Sequence, residues 1–276
     1  MNALKETKKK HLLAILKYLY LHNSSTMNEL VENLQLSQPS IRNMVRTLQE
    51  KQLIQEVGND LSSGGRCPTR FALNEKNYLI LCLYVQVDKV IYQLRNFNEI
   101  KKESILFYQS EDELKKTIKD LIDQEKIHCC QIAVEGIVYE DVYVTDHHNV
   151  LEKHQWLKDI KKEINIPLQL QNDVKMIHQG CYFTYQQDST YYLYINEVGI
   201  GSSYFYKDEP LYGRSGIMGE IGLISLKGKT INQQIRECQN QEEFNEILSL
   251  LLSIVFTMID PKRLELSLDL KWRYEE

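Results

Sequence analysis

The sequence predicts an α+β protein of two domains, one at residues 1–73 and one at residues 78–276. Two observations predict this organisation. Apolar residues first recur at helical spacing in three short segments, and after residue 78 they form strand-like runs that lead into mixed strand and helix patterns, which are typical of an α/β domain. The length of 276 residues is sufficient for two domains of ordinary size.

The first domain begins with three predicted helices, each with an apolar stripe whose members lie three or four residues apart. The stripes are Leu12, Ile15, Leu16 and Leu19, then Met27, Leu30, Val31 and Leu34, and then Ile41, Met44, Val45 and Leu48. Residues 23–25 offer an N-cap for the second helix, and Ser37, ahead of a proline, offers one for the third helix at Pro39–Lys51. Three short helices with a tight turn at residues 35–37 predict a helix-turn-helix.

A predicted hairpin follows the third helix. A strand at residues 53–57, a turn at 58–60 and a glycine-containing loop at 62–68 lead to a returning strand at 69–73. A hairpin in this position is the wing of a winged helix-turn-helix, so Pro39–Lys51 is the predicted recognition helix of a DNA-binding domain.

The outward face of the third helix carries the candidate DNA contacts, which are Gln38, Pro39, Arg42, Asn43, Arg46 and Thr47. Asparagine can pair with adenine, and arginine with guanine, through two hydrogen bonds. Arginines that contact phosphate would instead fix the register without reading sequence, and an ordinary solvated helix face is the structural alternative. In the hairpin loop, Arg66 beside two glycines is a candidate for a narrow minor groove, or else a solvated arginine in a mobile loop.

Charge and composition favour a folded, cytoplasmic protein. Residues 1–75 carry ten Lys/Arg and seven Asp/Glu, a net charge of +3, whereas the whole chain carries −5. A basic module on an acidic body fits DNA binding at one end. No apolar run approaches the ~20 residues needed to cross a membrane, and the amino-terminus lacks the cleavage site of a secretory signal. The six cysteines form no CxxC pair, so we expect neither a metal site nor a cofactor.

The second domain is predicted as an alternation of strands and helices. Its strands are predicted at residues 78–86, 89–97, 103–108, 131–134, 167–171, 191–196 and 202–206, and its helices at 111–126, 151–164 and 241–258.

Several motifs resemble the ROK family, and in particular its NagC/XylR-type repressors. The matching segments are residues 36–45, 64–74, 134–138, 166–173, 199–201 and 216–222. Together they extend over nearly the whole chain. The resemblance implies a winged helix joined to a body with the actin-like ATPase fold of sugar kinases.

The departures from the family pattern predict a degenerate body. The family's Asp-x-Gly-Gly-Thr phosphate loop is replaced by LCLYVQVDKVIYQL, which has no glycine to turn backbone N–H groups toward a nucleotide. Glu197-Val198 stands where the family has Gly-Thr, Leu223 replaces the usual histidine, and SLKGKTINQQIREC replaces the cysteine-rich zinc loop. The chain stops soon after Pro261, so we expect a body truncated at its carboxy-terminus and without ATP or zinc binding.

The resemblance implies a sugar site in part. In the family's kinases the aspartate at the position of Asp173 is the general base, and in its repressors it accepts hydrogen bonds from the ligand. Asn172, Asp173 and Glu220 are therefore candidates to bind sugar hydroxyls. The alternative is that they only close a strand end and a turn.

The leading hypothesis is a homodimeric regulator, a repressor of carbohydrate-related genes, that binds a palindromic operator in double-stranded DNA and takes a sugar or sugar phosphate as effector. A constitutive DNA binder without a sugar effector is the first alternative. A sugar kinase is the second, although phosphoryl transfer needs phosphate-holding groups that these motifs lack.

Overall fold

The computed structural model describes residues 2–59, 68–147, 150–185, 188–207 and 209–270. The chain divides into two compact units. Unit 1 contains residues 1–82, 92–104 and 121–130, and unit 2 contains residues 83–91, 105–120 and 131–276.

Unit 1 opens with three helices and a small antiparallel sheet. The elements are α1 (Asn2–His22), β1 (Ser24–Thr26), α2 (Met27–Leu34), α3 (Gln38–Glu50), β2 (Ile54–Asn59) and β3 (Thr69–Leu73), with strand order β1-β3-β2. The three predicted helices are confirmed: α3 differs by one residue at each end from the predicted Pro39–Lys51, and α1 begins well before its predicted apolar stripe at Leu12. The sequence pattern did not predict β1, which pairs with β3 from far along the chain.

Local signals explain how α2 begins and ends. Its N-cap is Thr26 rather than residues 23–25, because the Glu29 N–H donates to Thr26 Oγ1 over 3.3 Å and the Thr26 N–H donates to Glu29 Oε2 over 2.8 Å. The helix ends at Gln35, whose φ of 53° is left-handed and turns the chain toward α3. Ser37 is the N-cap residue of α3, as predicted, although its side chain caps no backbone N–H.

The hairpin differs from the prediction at its first turn. Residues 58–59 belong to β2 rather than to a turn, because a bulge at Gly58, with φ of 138°, lets the strand continue opposite Arg70. The returning strand Thr69–Leu73 is as predicted.

One apolar core holds these elements together. It contains Ile15, Leu19, Leu30, Ile41, Met44, Val45, Leu48, Ile54, Phe71 and Leu73. All four predicted inward residues of α3 are in it, so the register of the helix is the one that the sequence predicted.

A five-stranded sheet has the order β11-β7-β4-β5-β6. Its strands are β4 (Ile80–Val85), β5 (Lys89–Arg95), β6 (Ile100–Phe107), β7 (Cys129–Val134) and β11 (Leu168–Asn172), and helix α4 is Glu111–Gln124. These strands and α4 were all predicted, with bounds that differ by up to three residues.

A three-stranded antiparallel sheet follows β7, with the order β10-β9-β8. Its strands are β8 (Ile137–Tyr139), β9 (Val142–His147) and β10 (Val150–His154), and helix α5 is Trp156–Glu163. The predicted helix at 151–164 is therefore wrong in its first four residues. They form β10 because they pair with β9, as Lys153 does with Val144.

The last part of unit 2 is a four-stranded sheet with helices. The elements are α6 (Asp173–Tyr185), β12 (Ser189–Asn196), β13 (Ile200–Tyr206), β14 (Glu209–Pro210), β15 (Ser225–Leu226), β16 (Lys229–Thr230), α7 (Ile231–Glu237), α8 (Gln241–Met258) and β17 (Arg263–Asp269). The sheet order is β14-β13-β12-β17, with β17 parallel to β12. Helices α6 and α7 and strand β17 were not predicted. Among the described residues, no helix is long and apolar enough to cross a membrane.

Candidate functional site

The exposed face of α3 brings the predicted DNA contacts together. Gln38, Pro39, Arg42, Asn43 and Arg46 are all exposed, and Thr47 is half-buried. They share one face because the opposite face is fixed in the core by its four apolar residues. The face is therefore polar and accessible over three turns of helix.

Two hydrogen bonds determine which side chains of this face are available to another partner. The Arg46 Nε donates to Glu50 Oε1 over 3.0 Å, and the two side chains are 78% and 63% exposed. So exposed a pair is weak, and the guanidinium is accessible to another partner. The Thr47 hydroxyl donates to the Asn43 carbonyl over 2.8 Å, so it is already engaged with its own helix.

The hairpin is attached to the helices through Arg70, which the sequence pattern did not single out. Its Nη1 donates to Glu29 Oε1 over 3.2 Å, its Nη2 donates to Glu29 Oε2 over 3.1 Å, and its Nε donates to Ser24 Oγ over 3.2 Å. The Thr26 backbone N–H and Arg70 both lower the pKa of Glu29. The Thr-x-x-Glu spacing is the one signal that could have drawn attention to this network. Arg66, the predicted wing residue, lies outside the described residues.

In unit 2, the predicted pair Asn172 and Asp173 stands at the junction of β11 and α6. Asn172 is satisfied by backbone, since its Nδ2 donates to the Gly136 carbonyl over 2.9 Å and its Oδ1 accepts from the Lys175 N–H over 3.0 Å. It therefore fixes the start of α6. Asp173 Oδ1 accepts from the Val174 N–H over 2.8 Å, and its Oδ2 points toward Tyr84.

Tyr84 joins two carboxyl groups. Its hydroxyl oxygen is 2.9 Å from Glu135 Oε1 and 3.2 Å from Asp173 Oδ2. A phenol has one proton and can donate to only one of them, so the second contact is a hydrogen bond only when a carboxyl is protonated. Burial, together with the charge of Glu135, raises the pKa of Asp173 to about 6. Asp173 therefore holds its proton more firmly than an ordinary aspartate.

The third predicted residue, Glu220, is close to a buried lysine. Lys175 is 1% exposed, its Nζ donates to the Gly216 carbonyl over 3.0 Å, and it lies 3.9 Å from Glu220 Oε1. Burial raises the pKa of Glu220 to about 7, which Lys175 opposes and Asp173 reinforces. Burial also lowers the pKa of Lys175. The pattern gave no signal for Lys175 or Tyr84, because α6 was not predicted and Tyr84 is one of several aromatic and apolar residues in its strand.

The glycine motif at residues 216–222 places Glu220. Gly219 has a φ of 95°, and a Cβ there would lie 2.4 Å from the Ser202 carbonyl oxygen. Gly216 has a φ of 78°, and its Cβ would lie 2.1 Å from the Val138 carbonyl oxygen. Only glycine permits both the conformation and the close approach. Asp173 and Glu220 are thus held near enough to influence each other's charge.

The arrangement suits hydroxyl groups better than a metal ion. Asp173, Glu135 and Glu220 accept hydrogen bonds, while Tyr84 and Lys175 donate them. Among the described residues, no group of three or more His, Cys, Asp or Glu side chains is placed to hold a metal ion.

Comparisons of the sequence and of the structure with known proteins both find ROK family proteins and repressors. A family model described as the ROK family matches residues 95–249. The xylose repressor of Staphylococcus xylosus is 24% identical over 229 residues, which are 75% of this chain and 58% of that protein. The chain thus spans less than two thirds of the length of this relative.

Solved structures show the same fold at lower identity. A ROK family transcriptional regulator described as a homologue of the E. coli MLC protein has a TM-score of 0.62 and 16% identity, covering 85% of this chain and 66% of its own. A ROK family protein from Streptococcus pneumoniae in complex with sucrose has a TM-score of 0.56 and 13% identity, covering 69% of this chain and 80% of its own. A glucokinase from Parabacteroides distasonis has a TM-score of 0.53 and 14% identity, covering 72% of this chain and 75% of its own.

Proposed function

Because the chain belongs to the ROK family, we propose that it is a transcriptional repressor that binds an operator in double-stranded DNA and responds to a sugar. The observation that carries the proposal is the exposed polar face of α3, which follows a tight turn after α2. The similarity to a xylose repressor and to an MLC-like regulator supports it.

The DNA-binding part is a winged helix-turn-helix in this proposal. Helix α3 enters the major groove, where Asn43 and Arg46 read base edges while Gln38, Pro39, Arg42 and Thr47 lie against the groove wall or the phosphates. Arg66 enters the adjacent minor groove. The network of Arg70 with Glu29 and Ser24 supports this arrangement. Arg70 lies in β3, the strand that returns from the wing, and its hydrogen bonds attach this strand to the first turn of α2.

The repressor acts as a homodimer on a palindromic operator. Two recognition helices related by a twofold axis would read half-sites about 34–36 Å apart, which is one turn of DNA, or a multiple of that spacing. Two weak half-site contacts then combine into one specific complex.

The effector site in this proposal is the polar group around Asp173 and Glu220. Their carboxyl groups bind ligand hydroxyls, and Asn172 acts indirectly by holding the junction of β11 and α6. A ligand changes operator affinity only if it binds one arrangement of the dimer more tightly than the other.

The body does not transfer phosphoryl groups in this proposal. The segment that joins β4 to β5 has no glycine, so it cannot turn backbone N–H groups toward the phosphates of a nucleotide. A coupled ATP assay that detected turnover, and lost it on Asp173→Asn, would establish the kinase instead.

Operator selection from a random DNA pool tests the proposal, repeated with a panel of sugars and sugar phosphates. We expect one palindromic site whose occupancy falls with one class of sugar. A palindromic site that no panel member affects would identify a constitutive DNA binder. No enriched site would refute the proposal.

A further inference from the structure

A polar cavity lies in unit 2, beside Glu135 but apart from Glu220. Its volume is about 180 Å³, and it is bounded by the turn between β4 and β5, the start of α4, and strands β9 and β10. This is room for several waters, so a small polar molecule fits.

The cavity is acidic. Glu111, Glu135 and Glu152 line it, and its lining, as far as the described residues go, contains neither lysine nor arginine. The one basic lining group is His154, whose ring nitrogens are each 3.0 Å from a neighbour, Thr145 Oγ1 and Glu111 Oε1. Burial and the charges of Asp88 and Glu111 raise the pKa of Tyr108, another lining residue, to about 12.

One wall of the cavity is aromatic and carries an unused hydrogen-bond donor. Tyr143 is 6% exposed, and its ring stacks on His154 with the centroids 4.5 Å apart. The Trp156 indole N–H donates to the Tyr143 hydroxyl oxygen over 3.1 Å. The Tyr143 O–H itself has no acceptor among the described residues. A buried donor without an acceptor costs free energy, so an acceptor inside the cavity would stabilise this O–H group.

We propose that this cavity binds a small ligand that carries both a protonated amine and a hydroxyl, an amino alcohol or an amino sugar. The ammonium compensates the carboxylates and faces the aromatic wall. A ligand hydroxyl oxygen accepts the Tyr143 proton. A neutral polyol would leave the carboxylates uncompensated, and a phosphate would be repelled. The inference goes beyond the effector site proposed at Asp173 and Glu220, and it rests on the proposed function only for the ligand's effect on operator binding.

Titration calorimetry on the full chain without DNA tests the inference, using probes of matched size. Serinol and glycerol differ by one amine in place of one hydroxyl, and glucosamine and glucose differ in the same way. We expect each amine to bind at least tenfold more tightly than its neutral counterpart. Equal affinity within both pairs, or no binding of either amine, would overturn the proposal.

Variants locate the site. Glu111→Gln should weaken serinol binding at least tenfold, whereas Asp112→Asn, the same charge change on a neighbouring side chain that is 88% exposed, should not. Tyr143→Phe should reduce serinol binding to the level of isopropylamine, which has the amine but no hydroxyl. If Glu111→Gln fails to give a cooperative thermal transition, Glu152→Gln takes its place. Equal effects of the Glu111 and Asp112 changes would refute the placement.

The two proposals fail separately. Amine binding without any enriched operator would leave this inference standing and refute the repressor. An enriched operator without any amine binding would leave the repressor proposal standing and refute this inference. With both present, serinol or glucosamine should change operator affinity in wild-type protein but not in Glu111→Gln.

Discussion

The raised pKa of Asp173 predicts a loss of stability as the pH rises. Its pKa rises from an ordinary value near 3.8 to about 6 because the carboxyl is buried and close to Glu135. At 1.36 kcal/mol for each pKa unit, this shift corresponds to roughly 3 kcal/mol of folding free energy that depends on the proton of Asp173. A group whose folded pKa is raised contributes stability that is complete at low pH and is lost as the pH passes its folded pKa. The loss should therefore fall between about pH 4 and pH 7.

Asp173→Asn isolates this contribution, because an amide resembles the protonated acid at every pH. We expect the stability of the variant relative to wild type to rise by ~3 kcal/mol between pH 4 and pH 8, measured by urea denaturation. Glu220 should add a loss of the same sign in both proteins, and this loss should be smaller in the variant, because the charge of Asp173 contributes to the raised pKa of Glu220. A constant difference across this range, or one that falls with pH, would refute the assignment of the buried proton to Asp173.

The remaining predictions concern DNA binding and the hairpin. Asn43→Ala and Arg46→Ala should each lose ~1–3 kcal/mol of operator affinity by fluorescence anisotropy, and unchanged affinity in both would mean that α3 does not read the operator. Glu50→Gln should release Arg46 and raise affinity for random DNA at low salt; no change there would show that the ion pair does not restrain it. Arg70→Ala should lower thermal stability by the equivalent of ~1–3 kcal/mol, because it removes the hydrogen bonds of Arg70 to Glu29 and Ser24, and a value near zero would show that the hairpin is held by its apolar contacts alone. Arg66→Ala should weaken binding most at A·T-rich flanks, whereas equal losses on all flanks would indicate a phosphate contact.

The prediction of α3 succeeded because its determinants are local. Four apolar residues at helical spacing, a proline in the first turn and a preceding tight turn all agree, and the core adopts the register they imply. The strands of the five-stranded sheet, though not their order, were predictable for the same reason, since most of them are runs of apolar and β-branched residues.

The elements that were missed or misassigned depend on pairing with another strand. Strand β1 exists because Ser25 pairs with Phe71, and β10 exists because it pairs with β9. Residues 151–154 are compatible with either a helix or a strand when read alone, and the backbone hydrogen bonds that decide between them come from elsewhere in the chain.

The sequence by itself determined the family, the register of α3 and the neighbourhood of Asn172 and Asp173, because each depends on short contiguous motifs. Only the tertiary structure decided what surrounds Asp173. Tyr84 reaches Glu135 across 51 residues of sequence and Asp173 across 89, and Lys175 reaches the Gly216 carbonyl across 41. No local pattern encodes such contacts, because they arise only when packing brings separate strand ends together and removes the water between them.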